Sequence, residues 1–105
     1  MDVVILEVCR KELGLLPEEV FQDFLDAIGR LKEGENLNMP LSRPMPSLGK
    51  GVNELRLKDR SGIFRIIYVI KKGDAVYVVH AFKKKDQKTP QKNIDIVKKR
   101  IWRFQ

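Results

Sequence analysis

The stretch VNELRLK-DRSG-IFRIIYVI-KKGD-AVYVVHAF, residues 52–82, decides the fold. Its three runs, 52–58, 63–70 and 75–82, are dense in β-branched and aromatic residues and alternate with period two, which predicts three strands. Asp59-Arg60-Ser61-Gly62 and Lys71-Lys72-Gly73-Asp74 between them are four-residue turns with Gly at a late position. The expectation is a three-stranded antiparallel meander. Pairing Lys58 with Ile63 sets Arg56 opposite Arg65, and pairing Ile70 with Ala75 sets Arg65 opposite His80 and Tyr68 opposite Tyr77. Arg56, Arg65 and His80 then share one row on one face. Leu55–Ile66–Val79 and Leu57–Phe64–Ala81 fall on the other, an apolar face for helices, because a one-residue slip would turn every side chain over.

Upstream, Pro17 followed by Glu18 and Glu19 opens a helix: proline suits its first position and acids suit the positive end of its dipole. Val20, Phe21, Phe24, Leu25, Ile28 and Leu31 give that helix one apolar face over 17–33, and Gly34 stops it. Residues 2–6 read equally as a short strand or as the first turn of a helix ending near Leu13 and Gly14. Residues 36–51 hold Pro40, Pro44 and Pro46 and follow neither period, so they read as a loop, pinned to the core by Met45 and Leu48. Gly49-Lys50-Gly51 lacks phosphate-loop spacing and reads as a turn feeding the next strand. Downstream, Thr89 is placed to cap a helix whose first residue is Pro90, with Ile94, Val97, Ile101 and Phe104 along one side. The expected fold class is therefore α+β: one small domain over 1–105, an antiparallel sheet with a possible N-terminal strand, and helices packed on one face.

At 105 residues, with 43% apolar and 33% charged, the chain suits a single globular domain. No apolar run reaches the roughly 18–20 residues that span a bilayer, so no membrane role is expected. Asp2 and Glu7 stand where a signal peptide carries basic residues, and a cytoplasmic location follows as an expectation. One Cys and one His supply no zinc set, and Cys9 reads as a small apolar residue. The net charge of +7 is unevenly spread: residues 1–52 carry six Lys or Arg against nine Asp or Glu, whereas 53–105 carry fifteen against five. A basic half of this kind points to a polyanion, since clustered cations gain affinity by displacing counterions from phosphates; a strongly solvated surface is the alternative.

Two arginines facing each other across neighbouring strands repel unless an anion lies between them. Arg56 has Glu54 and Asp86 as alternative partners, and a histidine on a strand is commonly a hydrogen-bonded core residue. Read as a site, the row joins Lys58 and the Lys83-Lys84-Lys85 run into a cationic surface that holds a phosphate, with His80 able to move a proton near neutral pH. The acidic cluster Glu18, Glu19, Asp23 and Asp26 reads as a solvated helix face, and Trp102 either closes the core or meets a partner.

The segments Glu54-Leu55-Arg56, Gly62-Ile63-Phe64-Arg65-Ile66-Ile67-Tyr68, Val79-His80-Ala81-Phe82-Lys83-Lys84-Lys85 and Gln87-Lys88-Thr89-Pro90, with the run from Arg43 that leads into them, resemble phage-related toxins of the RelE/HigB type over residues 43–105. The first forty residues resemble that family only in a proline-started helix. The resemblance implies a RelE-like fold and the toxin of a bacterial type II toxin–antitoxin pair, one that cuts mRNA in the ribosomal A site without metal or cofactor. It assigns Arg65, at the family's Tyr-Arg position with Phe64 in place of the tyrosine, to the scissile phosphate. Arg56 and Lys58 match the basic pair on the preceding strand and Lys84 the basic position after the last one, with His80 in an acid/base role. Arg60, Lys83, Lys85 and Lys88 are the surrounding RNA-binding positions.

The implied partners are the ribosome, mRNA and a cognate antitoxin, a small helix-turn-helix protein through which alone the pair touches DNA. Some relatives carry a tyrosine or second histidine near the C-terminus, where this chain reads Trp102-Arg103-Phe104-Gln105, so the general base is left unassigned. Two rivals use the same fold: a ParE-like gyrase poison and a nucleic-acid-binding module without catalysis. Under the nuclease reading, Arg65→Ala is expected to abolish toxicity with the fold intact.

Overall fold

The computed structural model describes residues 1–71, 73–84 and 89–103. Its elements are β1 (Asp2–Ile5), α1 (Glu7–Gly14), α2 (Glu18–Lys32), β2 (Ser42–Pro44), a 3-10 turn (Pro46–Leu48), β3 (Val52–Asp59), β4 (Gly62–Lys71), β5 (Ala75–Lys84) and α3 (Gln91–Trp102). The strands form one mixed sheet in the order β1-β5-β4-β3-β2, with β1 parallel to β5 and the other pairs antiparallel. The open choice at the N-terminus resolves as both alternatives in succession, a strand and then a short helix. The proline-rich segment is more than a loop: Ser42–Pro44 pairs with Asn53–Leu55, and the Ser42 hydroxyl hydrogen-bonds the Tyr68 phenol at 2.6 Å inside the core.

Helices cover both faces of the sheet, not one. Cys9 and Leu13 of α1 and Phe24, Ile28 and Leu31 of α2 pack on Leu55, Ile66, Tyr68, Val76 and Val78. Val97 and Ile101 of α3 pack on Ile67, Val69 and Val79 from the opposite side. The reason lies in β4, where Phe64 to Val69 are all buried: a central strand apolar on both sides needs two covering layers. Thr89 does not cap α3. The helix is preceded by Pro90 without a side-chain cap, and the Thr89 hydroxyl donates instead to Glu54 Oε2 at 3.4 Å. Phe104 lies outside the described residues.

The β3–β4 register is the expected one, with Lys58 opposite Ile63 and Arg56 opposite Arg65. The β4–β5 register differs by two steps. Strand β4 runs on to Lys71, which pairs with Ala75 and shifts the near half by one residue, so Tyr68 faces Val78 and Tyr77 faces Val69. A bulge then leaves Val79 unopposed between Val78 and His80 and adds a second step, so that His80 faces Ile67 and Phe82 faces Arg65. The bulge turns Val79 toward α3, where it packs with Val97 and Ile101. Gly51 feeds β3 with φ of 79°, and a Cβ there would lie 2.5 Å from the Ile70 carbonyl oxygen, so only glycine fits.

Candidate functional site

Directly opposed residues share a face, so the register writes three rows on the α3 side of the sheet: Arg43–Glu54–Ile67–His80, Arg56–Arg65–Phe82 and Lys58–Ile63–Lys84. The first two strand cations meet as expected from the sequence; the third position of their row is Phe82, with His80 one row away and beyond Ile67. Within these three rows five cations, Arg43, Arg56, Lys58, Arg65 and Lys84, stand with one carboxylate, Glu54.

Glu54 answers the repulsion between the facing arginines. It is 0% exposed and diagonal to Arg65, which is 1% exposed and donates through Nη1 to Glu54 Oε1. Arg43 Nη2 donates to the same oxygen at 3.3 Å, and Thr89 holds the other. Glu54 thus serves Arg65 and Arg43, while Arg56, half-buried at the strand edge, keeps its charge toward the surface. Both guanidinium groups at Glu54 retain a buried Nε–H with no partner. Such donors cost stability when unpaired, and they are what an entering oxyanion needs. Sequence reading named Glu54 only as a partner for Arg56 and did not single out Arg43; the Arg-x₁₀-Glu spacing carries no signal until β2 is known to pair with β3.

Lys58 and Arg60 are exposed at the far end of β3 and in the turn after it, and Lys84 is buried on the same face. Lys83 points to the other face, its Nζ 5.7 Å from the centre of the Phe64 ring. Lys85 and Lys88 lie outside the described residues.

His80 belongs to a second polar cluster under α3. It is 3% exposed, with Nδ1 2.9 Å from Glu12 Oε1 of α1, Nε2 2.7 Å from Asn93 Oδ1 of α3 and its ring stacked on Phe82. Arg100 of α3 donates to both Glu12 oxygens at 2.7 and 2.9 Å and to the Val79 carbonyl at 2.9 Å, and the Ala81 amide donates to Glu12 at 3.2 Å. Burial pushes the Glu12 carboxyl up, but hydrogen bonds from Arg100, His80 and Ala81 outweigh it and hold the group below its ordinary value. Neighbouring Cys9 is pushed up to about 12, by burial first and by Glu12 second. With both ring nitrogens engaged, His80 fastens α1, β5 and α3 together; it ends the Arg43–Glu54 row, beyond Ile67 and one row away from Arg56 and Arg65. Trp102 is 80% exposed and does not close the core. No group of three or more His, Cys, Asp or Glu among the described residues is placed to hold a metal ion, and no described helix is long and apolar enough to cross a membrane.

Comparison with known proteins agrees with this architecture. A double mutant of the Escherichia coli toxin RelE in the free state superposes with a TM-score of 0.63 at 15% identity, over 99% of this chain and 97% of that one. The isolated E. coli RelE toxin superposes with a TM-score of 0.57 at 18% identity, over 90% and 95%. A chain of the toxin–antitoxin complex RelBE2 of Mycobacterium tuberculosis superposes with a TM-score of 0.56 at 19% identity, over 79% and 96%. These likenesses establish the fold. A search of curated protein sequences returns no match. The profile described as phage-derived protein Gp49-like matches residues 11–101, nearly the whole chain. The chain is thus a member of the phage-derived Gp49-like family and has the fold of the RelE toxins.

Proposed function

We propose that this chain is the toxin of a type II toxin–antitoxin pair and a metal-independent endoribonuclease that cuts mRNA on the ribosome. The observation that carries the reading is the cationic set: Arg56, Lys58, Arg65 and Lys84 in adjoining rows with Arg43, rows in which Glu54 is the one carboxylate. In the reaction, O2′ of one nucleotide attacks the adjacent phosphorus and the bond from phosphorus to O5′ breaks. A proton leaves O2′ and one arrives at O5′, giving a 2′,3′-cyclic phosphate and a free 5′-hydroxyl. Charge accumulates on the non-bridging oxygens, where fixed cations in a partly dry site act most strongly. Arg56 and Lys58 supply that charge from the surface, and the unpartnered Nε–H of Arg65 is the donor at the floor. Glu54 positions Arg65 and Arg43, and His80 positions α3 without taking part in proton transfer.

The cognate antitoxin is the partner that would restrain such a protein, and the RelBE2 likeness supports a chain of this fold having one. The test is induction in a bacterium with mapping of mRNA 5′ ends, comparing the chain with Arg56→Ala. The half-buried Arg56 is not held by Glu54, so its removal spares the fold. New ends within translated frames that vanish in the variant are expected. Growth arrest without new ends would replace this reading by gyrase poisoning.

A further inference from the structure

Strand β2 is only three residues long, so it leaves the outer edge of β3 open beyond Leu55. The last bond on that side runs from the Arg56 amide to the Leu41 carbonyl at 2.8 Å. Amides two residues apart on a strand point the same way, so the Lys58 N–H and the Arg56 C=O face the open edge. A groove of about 350 Å³ lies there, lined by Pro40, Leu41, Arg56, Leu57, Lys58 and Ile63. Its walls come from both faces of the sheet: Leu57 belongs to the core under α2, whereas Arg56 and Lys58 stand in the cationic rows. A second lobe of about 390 Å³ continues past Arg56 to Asp23, Asp26 and Arg30 of α2, the charge of Arg30 being answered by Glu35 at 2.6 Å.

We infer that this groove is a nucleobase subsite for the RNA strand, a proposal that rests on the nuclease reading and names how that same site chooses its cut. A base on a backbone lying on Arg56 and Lys58 finds apolar cover by passing over the edge of β3 onto Leu41, Leu57 and Ile63. Ile63 is 36% exposed at the rim, a large apolar side chain otherwise left to water. Bases gain from such faces whatever their identity, because each has a flat, weakly hydrated surface. Identity is read at the edge. The Lys58 N–H and Arg56 C=O offer one donor and one acceptor, and the Asp23 and Asp26 carboxylates accept hydrogen bonds only. The carboxylates also repel phosphate and fix the polarity of entry: phosphate at Arg56 and Lys58, base toward α2. A base with an exocyclic amine, such as adenine, cytosine or guanine, turns that amine to the carboxylates, whereas the one ring donor of uracil, N3–H, is flanked by two carbonyl oxygens that the carboxylates repel.

The test uses the free chain, labelled with ¹⁵N and titrated with the four ribonucleoside 5′-monophosphates and with ribose 5-phosphate, which has no base. The expected result is movement of the Leu41, Leu57 and Lys58 amides, with AMP, CMP and GMP binding about five- to tenfold more tightly than UMP or ribose 5-phosphate. Leu41→Ala and Ile63→Ala, two independent wall changes, should each reduce the amine-bearing nucleotides to the level of ribose 5-phosphate. Equal affinity for ribose 5-phosphate overturns the base subsite and leaves only a phosphate site; so does an absence of shifts in the groove amides. Because no ribosome is involved, either failure is distinct from failure of the nuclease reading, which is judged by mRNA ends.

Discussion

Replacing Glu54 by Ala leaves Arg65 charged, 1% exposed and without its counterion. Removing one partner of a buried ion pair costs about 3–5 kcal/mol, most of it the desolvation of the charge left behind. Arg43, whose side chain is 39% exposed, recovers hydration and adds little to that cost. For a domain of this size each kcal/mol moves the midpoint by roughly 4–8 °C, so the variant should melt at least about 12 °C below the parent. The assay is urea unfolding followed by far-ultraviolet circular dichroism on the parent, Glu54→Ala, Arg65→Ala and the double variant. The double variant should cost far less than the two singles together, a coupling of about 3 kcal/mol, because removing both charges leaves neither stranded. A coupling near zero, or a Glu54→Ala cost below about 1 kcal/mol, would refute the claim of a dry pair. The same reasoning revises the expectation for Arg65→Ala: that variant loses stability as well as its contact, which is why Arg56 is the cleaner probe of chemistry.

Three further outcomes follow from the geometry. Glu12 is held below its ordinary 4.5, so its contribution to stability is complete above that value and fades as pH falls through the lower folded-state value. Urea midpoints from pH 7 to pH 3 should therefore decline less steeply in Glu12→Gln than in the parent. Cys9, fully buried with its thiol pushed up to about 12, should resist a thiol reagent at pH 8 in the native protein and react at once in denaturant. Gly51→Ala, with a left-handed φ and a Cβ driven against the Ile70 carbonyl oxygen, should cost roughly 1–3 kcal/mol in the same urea assay.

The parts of the fold that were legible in the sequence are those where polar residues punctuate the strands. Asp59-Arg60-Ser61-Gly62 closes a hairpin, and Arg56 and Arg65 each sit between apolar neighbours, so slipping β3 against β4 would bury charge on the core face. Residues 75–79, Ala-Val-Tyr-Val-Val, hold no charge to penalise a slip, and neither the longer β4 nor the bulge at Val79 left a trace in the pattern. The apolar run at residues 66–70 of β4 held the clue that both faces are covered, because an alternating strand would have been enough for one layer. Among the cations of these rows, Arg56 and Arg65 were readable from alternation, Lys58 from its place at the end of a strand and Lys84 from the family resemblance. Arg43 and Glu54 were not, since their meeting depends on a three-residue strand inside a proline-rich segment. His80 was drawn into the row by an assumed register; Glu12 and Arg100, which engage it, come from sequence positions 68 residues before and 20 after.

The proposed function requires that the cationic face of β3, β4 and β5 cut mRNA. Its most direct test is purified chain added to purified ribosomes carrying a defined message, with the new ends resolved and their chemistry determined. Cuts within the frame that carry a 2′,3′-cyclic phosphate and a 5′-hydroxyl, that persist in EDTA and that disappear with Arg56→Ala are the expected result. An intact message in the presence of folded, stoichiometric chain would contradict it.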